Sequence, residues 1–165
     1  MNINRRPKKG TYVVTLVHEG PSPGEIETMS GFSVEEIGEL PGTFLIHLGE
    51  TDIADLDILN YLKRIIGENA KILSALEDEA GHTLIPTGNI TVFMKEELPS
   101  RQLSEWAQEH RLEIISQSKW QPKLLIVHTD ETLTELVEEK IQHLREDPLV
   151  DVAEQEVLAR YSRAN

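Results

Sequence analysis

The apolar positions of the second half of the chain follow two periods in turn. Alternating or short apolar runs predict strands, and residues three and four apart, such as Leu103, Trp106 and Ala107, predict amphipathic helices. In order, the pattern predicts a strand at 90–94, a helix at 99–110, strands at 112–116 and 123–128, a helix that starts near Thr132 or Thr134, and a strand at 150–153. Asp147-Pro148 ends the second helix, because a proline restricts the residue before it.

The first half of the chain repeats this order. It predicts a strand at 12–17, a short helix at 23–29 that Gly24 weakens, strands at 32–37 and 43–48, a helix at 53–66 and a strand at 72–76. Gly67 is placed to end the second of these helices. Phe44-Leu45-Ile46-His47 compares with Leu124-Leu125-Ile126-Val127, and the matched segments stay about 78 to 80 positions apart.

Both halves therefore have the order βαββαβ. We predict an α+β fold of two tandem ferredoxin-like units, each an antiparallel sheet with helices on one face. The predicted organisation is a flexible N-terminus at 1–10, a first unit at 11–79, a linker at 80–88, a second unit at 89–158 and a tail at 159–165. Gly81, Pro86 and Gly88 mark the linker.

Composition narrows the function classes. Among 165 residues, 29 acidic side chains face 16 basic ones, which gives a net charge of −13 and argues against a nucleic-acid partner. The acidic balance favours attraction to a basic protein surface. The chain has no cysteine, which excludes disulfides, thiolate catalysis and zinc–cysteine sites. No apolar run is long enough for a membrane span, and no signal peptide is evident. The sequence does not determine the compartment, since a cytoplasmic protein and part of a processed precursor both fit.

Catalytic and metal motifs are not evident in the sequence. The six histidines lack the paired spacing of zinc proteases, although His47 and His128 end matching strands. No serine lies in a Gly-x-Ser-x-Gly motif, and the Gly-rich segment 20–24 lacks the Lys-Ser/Thr ending of a phosphate-binding loop. We therefore predict a protein that is not an enzyme and that uses no cofactor or metal.

Glu154 and Glu156 differ from the many other carboxylates by their position. They follow the last predicted strand and are separated by one residue, so an extended backbone directs both to the same side. Two such carboxylates can accept hydrogen bonds from the exposed N–H groups at the start of a partner's helix. The alternative is a solvent-exposed strand end with no partner.

The second half resembles the propeptide, or inhibitor-type prodomain, of subtilisin-like serine proteases. Three segments carry the resemblance: Ile90-Thr91-Val92-Phe93-Met94-Lys95, the helix at 101–110, and the run 144–156, in which Asp147-Pro148 precedes Val150 and Ala153-Glu154. The resemblance covers 89–161. An extra N-terminal copy departs from the family pattern of a single unit, and no protease domain follows Asn165, so we expect an excised propeptide or a free-standing inhibitor.

The resemblance implies a specific way of binding. Such propeptides lay the sheet face away from their helices on two parallel surface helices of the protease, and acidic residues after the last strand cap those helices. The matching positions are Glu154 and Glu156. The tail then runs through the active-site cleft as a product-like strand, held by strand addition. Here that tail comprises Val157, Leu158, Ala159, Arg160, Tyr161 and Ser162.

The function we expect from the sequence is therefore inhibition or folding assistance, as an intramolecular chaperone, of a subtilisin-like serine protease, in cis or in trans. Two alternatives stay open. One is a tandem ferredoxin-like regulatory module that binds a small ligand, and the other is a protein that acts in assembly.

Overall fold

A computed structural model describes residues 5–16, 19–37, 40–49, 51–68 and 70–161, with the backbone alone for 158–161. Over these residues the chain is α+β, as expected from the sequence, with four helices and antiparallel strand pairing. The elements are β1 (Arg6–Leu16), α1 (Pro23–Ser30), β2 (Ser33–Glu36), β3 (Thr43–His47), α2 (Asp55–Ile66), β4 (Ala70–Glu77), β5 (Thr83–Met94), α3 (Ser100–Glu109), β6 (Leu112–Gln117), β7 (Leu124–Thr129), α4 (Thr134–Glu146) and β8 (Val150–Tyr161).

The elements divide into two compact units. The first unit comprises Met1–Pro86, Thr132–Thr134 and Val157–Asn165, and the second comprises Thr87–Glu131 and Glu135–Glu156. The boundary along the chain therefore falls inside β5, after Pro86. A proline suits this position, because it cannot donate a hydrogen bond to a neighbouring strand.

In the first unit the strands lie in the order β2-β3-β1-β4, and every neighbouring pair is antiparallel. Tyr12 lies opposite Ile46 and Val14 opposite Phe44, so these four side chains share one face of the sheet. Helices α1 and α2 pack on that face through apolar residues with little or no exposure: Ile26, Ile58, Leu59, Leu62 and Ile66.

The opposite face of this first sheet is also buried. Val13 lies opposite Leu45 in the register of β1 and β3, and both are buried in a second apolar cluster with Ile37, Ala75 and Ile85. The first unit therefore buries both faces of its sheet, which explains why β4 is a nearly continuous run of buried residues rather than an alternating one.

In the second unit β7 pairs with both β5 and β6, and β8 pairs with β5. Ile90 lies opposite Val127 and Val92 opposite Leu125, and all four are buried. Helices α3 and α4 also bury apolar side chains: Leu103, Trp106, Ala107, Val137, Ile141 and Leu144. This face forms the core of the unit.

Local chemistry accounts for the helix ends. The Ser22 hydroxyl accepts a hydrogen bond from the Glu25 N–H, and Pro23 occupies the start of α1, which together stabilise a helix that Gly24 would weaken. Gly67 ends α2, as predicted, and its N–H donates to the carbonyl of Lys63. Helix α4 ends at Glu146, immediately before Asp147-Pro148, also as predicted.

Two predicted boundaries are wrong. Residues 6–10, predicted as flexible N-terminus, belong to β1, where Arg6 lies opposite Glu77 of β4. Residues 83–88, predicted as linker, form the first half of β5, and only a turn at 78–82 separates it from β4. Thr83-Leu84-Ile85 is buried, and burial of this apolar run outweighs the local preference of Pro86 and Gly88 for turns.

Candidate functional site

The sheet face of the second unit that points away from its core is the first candidate site. Thr91 lies opposite Ile126 and Phe93 opposite Leu124, and each pair alternates along its strand with buried core residues. All four side chains are half-buried. Together with the outward residues of β8 described below, they form what we call the outer face. Its centre is apolar at Phe93, Leu124 and Ile126, where a solvated sheet face would be polar.

A bulge in β6 adds an exposed apolar side chain beside this sheet. The pairing of β6 with β7 shifts register between Ile114 and Ser116, so Ile115 has no partner residue and is 51% exposed. A bulge re-aims the side chain at which it occurs. At β8 the exposed apolar residue is Val152, with 39% of its surface accessible.

Glu154 and Glu156 lie on one side of β8. Buried Ala153 and Gln155 alternate with Val152, Glu154 and Glu156, so the latter three share the outer face. The predicted common direction of the two carboxylates is thus reproduced, and their capping role stays a prediction. Glu156 Oε1 accepts a hydrogen bond of 2.9 Å from the Thr87 hydroxyl, which holds this carboxylate against β5.

The predicted inhibitory tail is part of a strand. Val157 to Tyr161 continue β8, which pairs with β5, so the separate tail predicted from residue 159 is wrong for 159–161. Val157 is half-buried. Ser162 lies outside the described residues, as do the side chains of Leu158, Ala159, Arg160 and Tyr161. Strand pairing explains why 159–161 are not a separate tail. An edge strand has unpaired N–H and C=O groups, and an extended segment can pair with them.

The turn between β6 and β7 carries a feature that sequence analysis missed. Trp120 is 97% exposed at its tip, whereas the other tryptophan, Trp106, is 3% exposed in the core. The turn itself was predicted, from Trp120-Gln121-Pro122. The signal in the sequence is a large apolar side chain between two polar residues, Lys119 and Gln121, in a predicted turn.

The histidines do not assemble a metal or catalytic site in the part of the chain that the structure describes. His47 Nε2 lies 3.7 Å from Glu35 Oε1, and His128 Nδ1 lies 2.9 Å from Asn89 Oδ1. Among the described residues, no group of three or more His, Asp or Glu side chains could share a metal ion. The two rings therefore face different groups in different parts of the fold.

A cavity of 440 Å³ lies in the first unit beside the segment 20–23, and its lining includes Ile37, Leu40 and Phe44. Its chemistry does not suit a phosphate group. Pro21 and Pro23 supply no N–H, and the Ser22 hydroxyl already bonds the N–H of Glu25. The segment 20–22 leads directly into α1, which begins at Pro23.

None of the four helices, over the residues that the structure covers, combines the length and apolar character needed to cross a bilayer. Comparison with known proteins adds no relative: no protein-family model, no curated protein and no solved structure matches the chain.

Proposed function

We propose that this chain is a protein-binding module of two ferredoxin-like units. In the first unit the strand order is β2-β3-β1-β4, and in the second β7 lies between β5 and β6 while β8 pairs with β5. Counted within each unit, this is the same arrangement, with the first strand between the third and the fourth. The shared order supports the duplication inferred from the repeat of about 78 to 80 residues.

We further propose that the second unit inhibits a subtilisin-like serine protease through its outer face. The observation that carries this proposal is the combination of an apolar sheet face, built on Phe93, Leu124 and Ile126, with the carboxylates of Glu154 and Glu156 at its β8 edge. Apolar contact supplies the affinity, and carboxylates aimed at helix N-termini supply orientation. Each such carboxylate contributes about 0.3–1 kcal/mol.

The first unit has a different role in this proposal. The corresponding face of its sheet is filled by the cluster of Val13, Leu45, Ala75 and Ile85, so it offers no comparable docking surface. We therefore assign docking through a sheet face to the second unit alone. The first unit supports it by providing the start of β5, whose later residues form the centre of the second sheet.

The structure also changes the order of events expected for inhibition. Val157 to Tyr161 belong to β8, so a tail that enters the active-site cleft must first separate from β5. Docking of the outer face does not require that separation. We propose that sheet docking comes first, and that the tail exchanges its partner strand for the cleft afterwards, with one set of main-chain hydrogen bonds replacing another.

Inhibition of a small panel of subtilisin-class proteases tests the proposal. The decisive variant is Glu154→Gln/Glu156→Gln, because glutamine removes the charge while its carbonyl oxygen can still accept the bond from Thr87. Loss of two carboxylate–helix interactions should raise the inhibition constant by about 3- to 30-fold. The matched control is Glu135→Gln/Glu139→Gln, which removes two exposed charges from α4.

The control variant should inhibit as the wild type does. No inhibition of any panel member by excess wild-type protein would overturn the proposed function. Equal weakening by both double variants would show instead that net charge, and not the position of Glu154 and Glu156, determines binding.

A further inference from the structure

The tip of the β6–β7 turn exposes almost the whole of a tryptophan side chain. Trp120 is 97% exposed, and it is the most exposed of the large apolar side chains for which the structure gives an exposure. Full exposure of an indole is unfavourable in water, and most tryptophans in folded proteins are largely buried. Tryptophan is also the residue most enriched among side chains that dominate the affinity of protein interfaces.

The backbone that carries Trp120 is ordered by hydrogen bonds on both sides of it. Ser118 N–H donates to the carbonyl of Leu124 over 3.0 Å, and Leu124 N–H donates to the carbonyl of Gln121 over 2.8 Å. The Ser118 hydroxyl accepts from Gln121 N–H over 3.1 Å. The side-chain amide of Gln117 donates to the carbonyl of Pro122 over 2.7 Å.

These bonds hold the turn without using the indole. An anchor on an ordered backbone loses little conformational freedom when it binds, so more of the contact energy remains as affinity. The arrangement is that of a preorganised binding residue rather than of a side chain that the fold needs.

The charges around Trp120 indicate what kind of pocket on a partner would accept the indole. Lys119 and Lys123 flank it and are exposed, and no acidic residue occurs in the sequence from Ile114 to Thr129. The tip is therefore cationic on a chain whose net charge is −13. It complements an apolar pocket bordered by carboxylates. An anionic bilayer fits less well, because the charge of the whole chain opposes the approach of a uniformly negative surface.

The turn is continuous with the outer face. Leu124, the first residue of β7, lies on that face opposite Phe93, and the exposed Ile115 belongs to β6 on the other side of the turn. A partner seated on the outer face therefore lies beside the turn as well. We propose that Trp120 anchors the complex by inserting into an apolar, carboxylate-bordered pocket on the same protease that binds the outer face. This inference rests on the proposed function.

The test uses the two tryptophans of the full chain. Incorporation of 5-fluorotryptophan gives one ¹⁹F signal from buried Trp106 and one from exposed Trp120, and the Trp120→Phe variant assigns them. The probe is a subtilisin-class protease whose catalytic serine is blocked with phenylmethylsulfonyl fluoride. On binding, the Trp120 signal should shift and lose its sensitivity to exchange of H₂O for D₂O, while the Trp106 signal should stay unchanged.

Affinity measurements on the same complex complete the test. Trp120→Ala should weaken binding by about 30-fold, as expected for a dominant interface residue. Lys119→Glu/Lys123→Glu should weaken it most at low ionic strength, because salt screens exposed charges. The matched control is Leu136→Ala, which removes a 40% exposed apolar side chain from α4 and should leave the affinity unchanged.

The outcomes separate this inference from the function on which it rests. If the wild type binds the protease but Trp120→Ala binds equally well and the Trp120 signal does not move, the anchor is overturned and sheet docking stands. If the wild type binds no protease of the panel, both are overturned.

Discussion

The indole N–H of Trp106 donates a hydrogen bond to Asp147 Oδ2 over 3.1 Å. His110 Nε2 lies 2.7 Å from the same oxygen, and the N–H of Leu149 donates to Oδ1 over 2.8 Å. One carboxylate thus joins α3 to the turn between α4 and β8. Because β8 carries Glu154 and Glu156, this network positions the edge of the outer face.

We expect Asp147→Ala to destabilise the protein by about 1–3 kcal/mol, since it leaves an indole N–H and a backbone N–H without their acceptor. Urea denaturation at neutral pH measures the change. The control is Asp151→Ala, which removes an exposed carboxylate four residues away on β8. Equal effects of the two substitutions would contradict the role assigned to the network.

The same network gives an acid-dependent prediction. Burial alone would raise the pKa of Asp147, but the hydrogen bonds from Leu149, His110 and Trp106 outweigh it and hold the pKa below the ordinary value of 3.8. A depressed pKa in the folded state stabilises the fold above the unfolded-state pKa and loses this effect as the pH falls. The stability difference between wild type and Asp147→Asn should therefore shrink as the pH falls below 3.8.

The hydroxyl of Tyr12, in the first unit, gives the opposite dependence of stability on pH. Burial, and then the 2.5 Å hydrogen bond to Asp55 Oδ1 and the charge of Asp55, raise the pKa of the Tyr12 hydroxyl above its ordinary value of 10.0. The proton is held more tightly in the folded state, so this stabilisation is present below pH 10 and is lost as the pH rises further. Tyr12→Phe should cost about 1 kcal/mol at pH 7 and lose less stability than the wild type between pH 10 and 11. A parallel alkaline decline in both proteins would refute this account.

Substitution of Gly10 tests whether the irregular start of β1 requires a glycine. Its φ is +81°, and a Cβ there would overlap the carbonyl oxygen of Gly49, whose neighbour Leu48 donates its N–H to the Gly10 carbonyl over 2.8 Å. Gly10→Ala should lower the free energy of unfolding by at least about 1–2 kcal/mol. Gly24→Ala in α1 is the matched control, because space surrounds Gly24; it should be neutral or stabilise by up to about 1 kcal/mol.

The end of β8 gives a prediction about the proposed exchange of strand partners. Amides of Val157 to Tyr161 should be protected from hydrogen exchange in the protein alone, because they lie in a paired strand. A chain that ends at Glu156 should still bind the protease through the outer face but inhibit it less. Rapid exchange at these amides in the protein alone would remove the need for a release step.

The elements were largely predictable, because strands and helices follow hydrophobic periods that are local. Helix α2 and strands β3 and β7 lie within one or two residues of their predicted bounds, as does the turn that carries Trp120. The shared side of Glu154 and Glu156 was predictable for the same reason, since side chains alternate in any extended segment.

Strand ends and exposure were not predictable in this way. Three ranges that were not predicted as strand, 6–10, 83–88 and 159–161, lie in strands that pair with other parts of the chain. Hydrogen bonds between distant segments leave no mark on local composition. Nor could the sequence distinguish the two sheets. Val13 and Phe93 are both apolar, yet one is enclosed by residues distant in sequence and the other is only half-buried.

By itself, the sequence determined the α+β class, the repeated order of elements and the acidic character of the chain, because each depends on residue type and spacing alone. Only the tertiary structure decided which sheet face is filled, that the presumed tail is strand, and that Trp120 is exposed. Each of these depends on which distant residues come together, and burial and pairing are properties of that assembly.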